Sequence, residues 1–211
     1  MIRIITIALV LTSTILAEYS SSISPITPEI KKRMIKGNSW RKGCPVSLNN
    51  LRYLRLKHIN FNGKDVMGEI IVHKEVSAEV TEIFEVLYEE GYPINKMRLV
   101  SDYKGNDWQS IESDNTSAFN CRTATGSKKW SKHSYGKAID INPIENPYIS
   151  RKGYISHKAS TTYRKRVHKN STHVDKAVLL KNDNAVQIFK KYGWKWGGDW
   201  TGVKDYQHFS K

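Results

Sequence analysis

Ser131-Lys-His133-Ser-Tyr-Gly136-Lys-Ala138-Ile-Asp140 places an imidazole and a carboxylate seven positions apart. Two such groups can meet only if the chain between them doubles back. Gly136 supplies a turn, and Ala138-Ile-Asp140 begins a short apolar run that reads as a strand, stopped by Pro143. The strand fixes Asp140, and Ala138 on the same strand face leaves space beside it. A second imidazole stands in Asp205-Tyr-Gln-His208-Phe. His133, Asp140 and His208 together make a donor set of two nitrogens and one oxygen with a fourth position open to water, which is how catalytic zinc is held. Asp205, three residues before His208, would stand beside that water as general base.

The elements that must carry these residues follow from the hydrophobic pattern. Leu51–Leu56 and the β-branched run within Glu69–His73 read as strands around an Asn62-Gly63 turn. Val76, Val80, Ile83, Phe84, Leu87 and Tyr88 recur at helical spacing, with Gly91 and Pro93 ending the helix. Met97–Tyr103 reads as a further strand, and Gly105–Arg122, rich in Asn, Ser and Asp, as a long functional loop. A last helix with Ala185, Val186, Ile188 and Phe189 inward starts at Asn182 or Asp183 and closes at Gly193. Helices and short strands without regular alternation predict an α+β fold, a central antiparallel sheet flanked by helices.

At 211 residues, with 39% hydrophobic and 26% charged, the chain suits one compact domain and neither a fibrous nor a wholly disordered protein. Residues 1–17 read as a signal peptide: Arg3, an apolar run, and Ile15 and Ala17 before the cleavage point. The alternative for this segment is an uncleaved anchor. Residues 18–36 form a polar, loosely held lead-in, and residues 37–211 the working domain. The expectation is a secreted or periplasmic monomer with no stable membrane insertion after processing. In such a compartment Cys44 and Cys121 form a disulfide or remain two buried thiols. The net charge of +14 favours anionic partners. Arg151–Val174, with seven basic residues and no acid before Asp175, reads as a solvated excursion.

The two motifs, Ser-x-His-x-x-Gly-x-Ala-x-Asp and Asp-x-x-His, resemble those of D-alanyl-D-alanine carboxypeptidase-type zinc peptidases. Vancomycin-resistance dipeptidases, phage endolysin peptidases and the hedgehog signalling domain share that fold. Gly43-Cys-Pro-Val, Leu51-Arg-Tyr-Leu, Asn115-Thr-Ser-Ala-Phe-Asn-Cys-Arg122, Asn146-Pro-Tyr148 and Trp196-Gly-Gly-Asp-Trp200 are similar to the carboxypeptidase branch. The resemblance implies a hedgehog/D-Ala-D-Ala-peptidase-like fold, with Zn2+ on His133, Asp140 and His208, Asp205 as catalytic carboxylate, and Arg122 steadying the scissile carbonyl oxygen. Arg suits that task because its charge persists and its fork fixes direction. The implied partners are peptidoglycan stem peptides and anionic cell-wall polymers, with no specific nucleic acid.

Members that trim terminal D-alanine usually carry Glu at the base position, whereas L-alanyl-D-glutamate endopeptidases usually carry Asp, so Asp205 leaves both activities open. A non-catalytic zinc-containing wall-binding module would be expected to lose its base, and a basic secreted nuclease has no motif here. His58, His73, His157, His168 and His173 match no ligand position and read as structural or solvated. Asp102, Asp107, Asp114 and Asp199 read as turn and capping residues, Asp199 being the exception to consider because it lies among aromatics close to the site; Trp194, Trp196 and Trp200 read as core, with the lining of a substrate cleft as the alternative.

Overall fold

The computed structural model describes residues 18–169 and 172–211, so the expected signal peptide lies outside the described residues. Its largest ladder is the antiparallel pair β2 (Leu51–Ile59) and β3 (Asp65–His73), in register from Leu51 opposite His73 to Ile59 opposite Asp65. The pleat sorts their side chains. Leu54, Leu56, Ile70 and Val72 face a core shared with α2 (Ser77–Glu89) and α4 (Asn184–Lys191), while Leu51 and Ile71 face a second cluster with Leu99, Phe119 and Cys121. Each such aliphatic chain, fully buried, stabilises the fold by roughly 1.5–3 kcal/mol. The apolar stripe of α2 is buried as its spacing predicts, and Gly91 (φ +68°) and Pro93 follow its end.

Residues 18–36 are better anchored than their polar composition suggests. β1 (Ser21–Pro25) adds antiparallel to the free edge of β2, and α1 (Pro28–Lys36), capped by Thr27, buries Met34 completely. Arg33 of α1 then bridges Glu69 and Asp102. Main-chain pairing to a sheet edge leaves no trace in composition, so the sequence alone does not reveal this attachment.

The strand expected over Met97–Tyr103 shrinks to β4 (Lys96–Met97), paired in parallel with β5 (Asn115–Thr116). The Asn115 side chain takes both main-chain groups of Arg98, at 2.8 and 3.0 Å, and the chain turns into a short 3-10 helix over Val100–Tyr103. The loop expected over 105–122 contains α3 (Asp107–Glu112). Cys44 and Cys121 form a disulfide with a Cα–Cα distance of 5.9 Å, closing 77 residues of chain. In the chain-entropy account such a loop is worth about 4 kcal/mol.

A second antiparallel sheet has the order β6 (Ala138–Asp140), β10 (His208–Ser210), β8 (Lys195–Trp196), and β7 (Tyr148–Ile149) pairs antiparallel with β9 (Lys204–Asp205). The architecture is the α+β arrangement of antiparallel sheet and helices, its strands divided mainly between two three-stranded sheets. Among the described residues no helix is long and apolar enough to cross a membrane.

Candidate metal centre

His133 follows Ser131, whose hydroxyl accepts from the His133 amide and starts a 3-10 turn over Lys132–Tyr135. Gly136 ends the turn at φ +66°, where a Cβ would stand 2.6 Å from the His73 amide nitrogen. No other residue fits that reversal against β3. The chain then enters β6 and delivers Asp140. β10 lies beside it with His208 directly opposite Asp140 in the ladder. Side chains so opposed are held a few ångströms apart by main-chain geometry alone.

The three side chains meet. His208 Nδ1 lies 2.9 Å from Asp140 Oδ1 and 3.3 Å from His133 Nε2, and His133 Nε2 lies 3.1 Å from Asp140 Oδ2. All three residues are buried, and one ligand atom from each falls within 4.8 Å of the others. His133 Nδ1–H donates to the Ala118 carbonyl at 2.6 Å, which orients the ring and leaves Nε2 as its lone pair. Burial works against the charge on Asp140, yet His133 and His208 hold its carboxyl far below the usual range. Two oriented imidazoles and an ionised carboxylate in a dry site fit Zn2+ well. Among the described residues this is the one such cluster.

Asp205, on β9, lines the same cleft, where burial and the Asp140 carboxylate push it up to about 6. Gln207 Nε2 donates to its Oδ1 at 3.2 Å. Arg122 also lines the cleft, clamped through its main chain by Ser134 Oγ, with its guanidinium 2.8 Å from Asp107 Oδ2. The preceding Cys121 is tethered by the disulfide and by its amide to Ser39. The structure therefore gathers all five expected site residues around one cleft.

Several residues play parts that their types alone did not reveal. Asp107, read as a capping residue, is the ion-pair partner of Arg122. Trp194 and Trp196 are buried as expected, but Trp200 is 36% exposed and its ring centre lies 5.5 Å from that of His208. Asp199 pairs with Lys190 away from the ligands. The excursion is not wholly a solvated face: Ile155, Ser156, His157 and Ser160 line the cleft, and Arg166 is turned inward to Asn146 Oδ1 (2.6 Å) and the Leu179 carbonyl (2.9 Å). Its turns fold back onto the metal end, a placement that local charge cannot encode. His58 is buried and pushed down to about 4 by burial, and His73, His168 and His173 join no ligand cluster.

No curated protein and no solved structure matches the chain. A family model described as D-alanyl-D-alanine carboxypeptidase matches residues 125–211. That segment holds His133, Asp140, Asp205 and His208, whereas Arg122 falls just before it. Residues 125–211, which supply every candidate ligand, are thus similar to the D-alanyl-D-alanine carboxypeptidase family of peptidases.

Proposed function

We infer that the protein is an exported zinc-dependent peptidoglycan peptide hydrolase of the D-alanyl-D-alanine carboxypeptidase type. The observation that carries this reading is the buried His133–Asp140–His208 set sharing one cleft with Asp205 and Arg122. Zinc held there supplies Lewis acidity, which activates water and polarises a carbonyl. Asp205 accepts the proton of the attacking water and passes it to the leaving amine. Arg122 steadies the carbonyl oxygen as negative charge grows on it, with Asp107 fixing the direction of the fork. Low polarity around the buried ligands strengthens each of these interactions.

A second reading, an L-alanyl-D-glutamate murein endopeptidase, is favoured by Asp rather than Glu at position 205. Export is supported by the signal-like pattern of residues 1–17 and by the disulfide, which needs an oxidising compartment. Digestion of purified peptidoglycan followed by mass analysis of the fragments tests the function directly. Release of free D-alanine supports the carboxypeptidase, new L-alanine ends support the endopeptidase, and an unchanged digest refutes both.

A further inference from the structure

The cleft extends well past the metal end. Its volume of about 810 Å³ is toward the upper end of the roughly 300–1,000 Å³ usual for ligand sites, far more than a free dipeptide fills. Another part of its wall comes from outside both motifs: Trp108 and Ile111 of α3, and Ile155, His157 and Ser160 of the excursion. The rings of Trp108 and His157 lie 3.9 Å apart between centres at 32°. Glu112, also on α3, holds His157 Nδ1 at 2.6 Å, so one helix supplies both the partner ring and the anchor. Trp108 remains 51% exposed, which leaves indole surface for a ligand.

Three cleft residues also carry buried polar atoms without a protein partner: Arg122 Nε, Ser160 Oγ and Gln207 Oε1. They are a donor, a hydroxyl able to play either role, and an acceptor. Such groups are costly unless something satisfies them. A peptide main chain presents N–H and C=O groups alternately and meets all three kinds. Lys152, Lys158 and Lys165 are exposed on the same excursion and add positive charge near this wall.

We propose that Trp108, His157 and Ser160 form a subsite for an extended, carboxylate-bearing peptide, holding substrate residues beyond the bond that is cleaved. The proposal rests on the peptidase reading of the metal end and deepens it: the protein selects long stem peptides over dipeptides. His157 and Trp108 stack on the peptide and Ser160 bonds its main chain.

The test compares Kd for a soluble disaccharide pentapeptide with Kd for D-alanyl-D-alanine, read from tryptophan fluorescence and calorimetry on zinc-loaded full-length protein. Wild type should prefer the long probe, and His157→Ala and Trp108→Ala should each cut that preference up to about tenfold, the worth of one aromatic contact. Ser160→Ala and Glu112→Gln should reduce it less, with zinc content and Tm unchanged. If Trp108→Ala fails to fold, the other three variants decide. Equal loss for both probes, no loss in any folded variant, or failure of wild type to bind the long probe overturns the subsite. Selective binding without hydrolysis overturns the peptidase reading and leaves the subsite standing. Hydrolysis with unaltered preference in every variant does the reverse.

Discussion

The two walls of the cleft are built by different means. On the metal side, His208 and Asp140 face each other across a main-chain ladder, and His133 is pinned by a carbonyl and a glycine turn. On the opposite side, Trp108, His157 and Ser160 sit on a short helix and a run of turns, held by side-chain bonds such as Glu112 to His157. Ladder geometry tolerates no drift, whereas turns bridged by side chains can be altered one contact at a time. The difference teaches that, on the proposed subsite, reaction chemistry and substrate choice would be separately adjustable in this molecule.

The comparison breaks most severely on the ligand side. His133→Ala or His208→Ala should abolish both turnover and the binding of about one zinc per chain, measured by elemental analysis. Full metal content in both variants would falsify the assigned centre. Asp205→Ala should keep the metal and lose roughly 10²–10⁴-fold in kcat on muropeptides. Near-wild-type hydrolysis would remove Asp205 from the mechanism. Arg122→Ala should cost about 10²–10³-fold, the range for deleting one preorganised oxyanion donor. Asp107→Asn should cost less, mainly in kcat, and recover with Asp107→Glu.

Changes on the facing side should be milder and depend on the substrate. Replacing Lys152, Lys158 and Lys165 together with Gln should weaken binding to intact sacculi and flatten its salt dependence, with a much smaller effect on a short soluble peptide, because attraction between exposed charges is screened over about 10 Å at roughly 0.1 M salt. Equal effects on both substrates would mean that these lysines contact the reacting peptide itself. Arg166 does not belong in that set, since its inward bonds make it part of the framework.

The smallest effect concerns the footing of the excursion. Arg166 Nη1 donates to the Glu145 carbonyl, and the buried Glu145 carboxyl is pushed up from 4.5 to about 9 by burial and by Asp114 beside it. A raised folded pKa gives stability that is complete below about 4.5 and lost as pH rises through about 9. Tm should therefore decline across that window in the wild type. Glu145→Gln should make the decline shallower, and an unchanged slope by calorimetry would dismiss Glu145 as its source.

The metal side is legible because its residues lie in two short motifs that resemble those of a known family. Asp140 and His208 announce themselves by type, although the β6–β10 pairing that joins them spans 68 positions and has no local signal. The facing wall is not legible, since Trp108 and His157, 49 positions apart, lie in no such motif and meet only through tertiary folding. Asp107 looked like a helix-start acid, and the partner that gives it a purpose lies on another segment. Cys44 and Cys121 left a choice between thiols and a bridge that only their separation in space decides. The attachment of residues 18–36 has no sequence signal because one buried methionine and an edge-strand pairing barely change composition.

The Lys- and Arg-rich excursion also divides the ligands: His133 and Asp140 precede it, and His208 follows it. A protease that cuts after basic residues there would leave two fragments, and the Cys44–Cys121 bridge, lying wholly in the first, would not join them. A cut between the two cysteines would instead leave its fragments linked by sulfur. After a nick in the excursion, packing, the β6–β10 and β7–β9 ladders, side-chain bonds such as Lys211 to Glu79 and a shared metal ion would hold the pieces together, with no covalent link. In such a nicked protein a zinc ion bound by His133, Asp140 and His208 would act as a clasp between chains, and a chelator would loosen it.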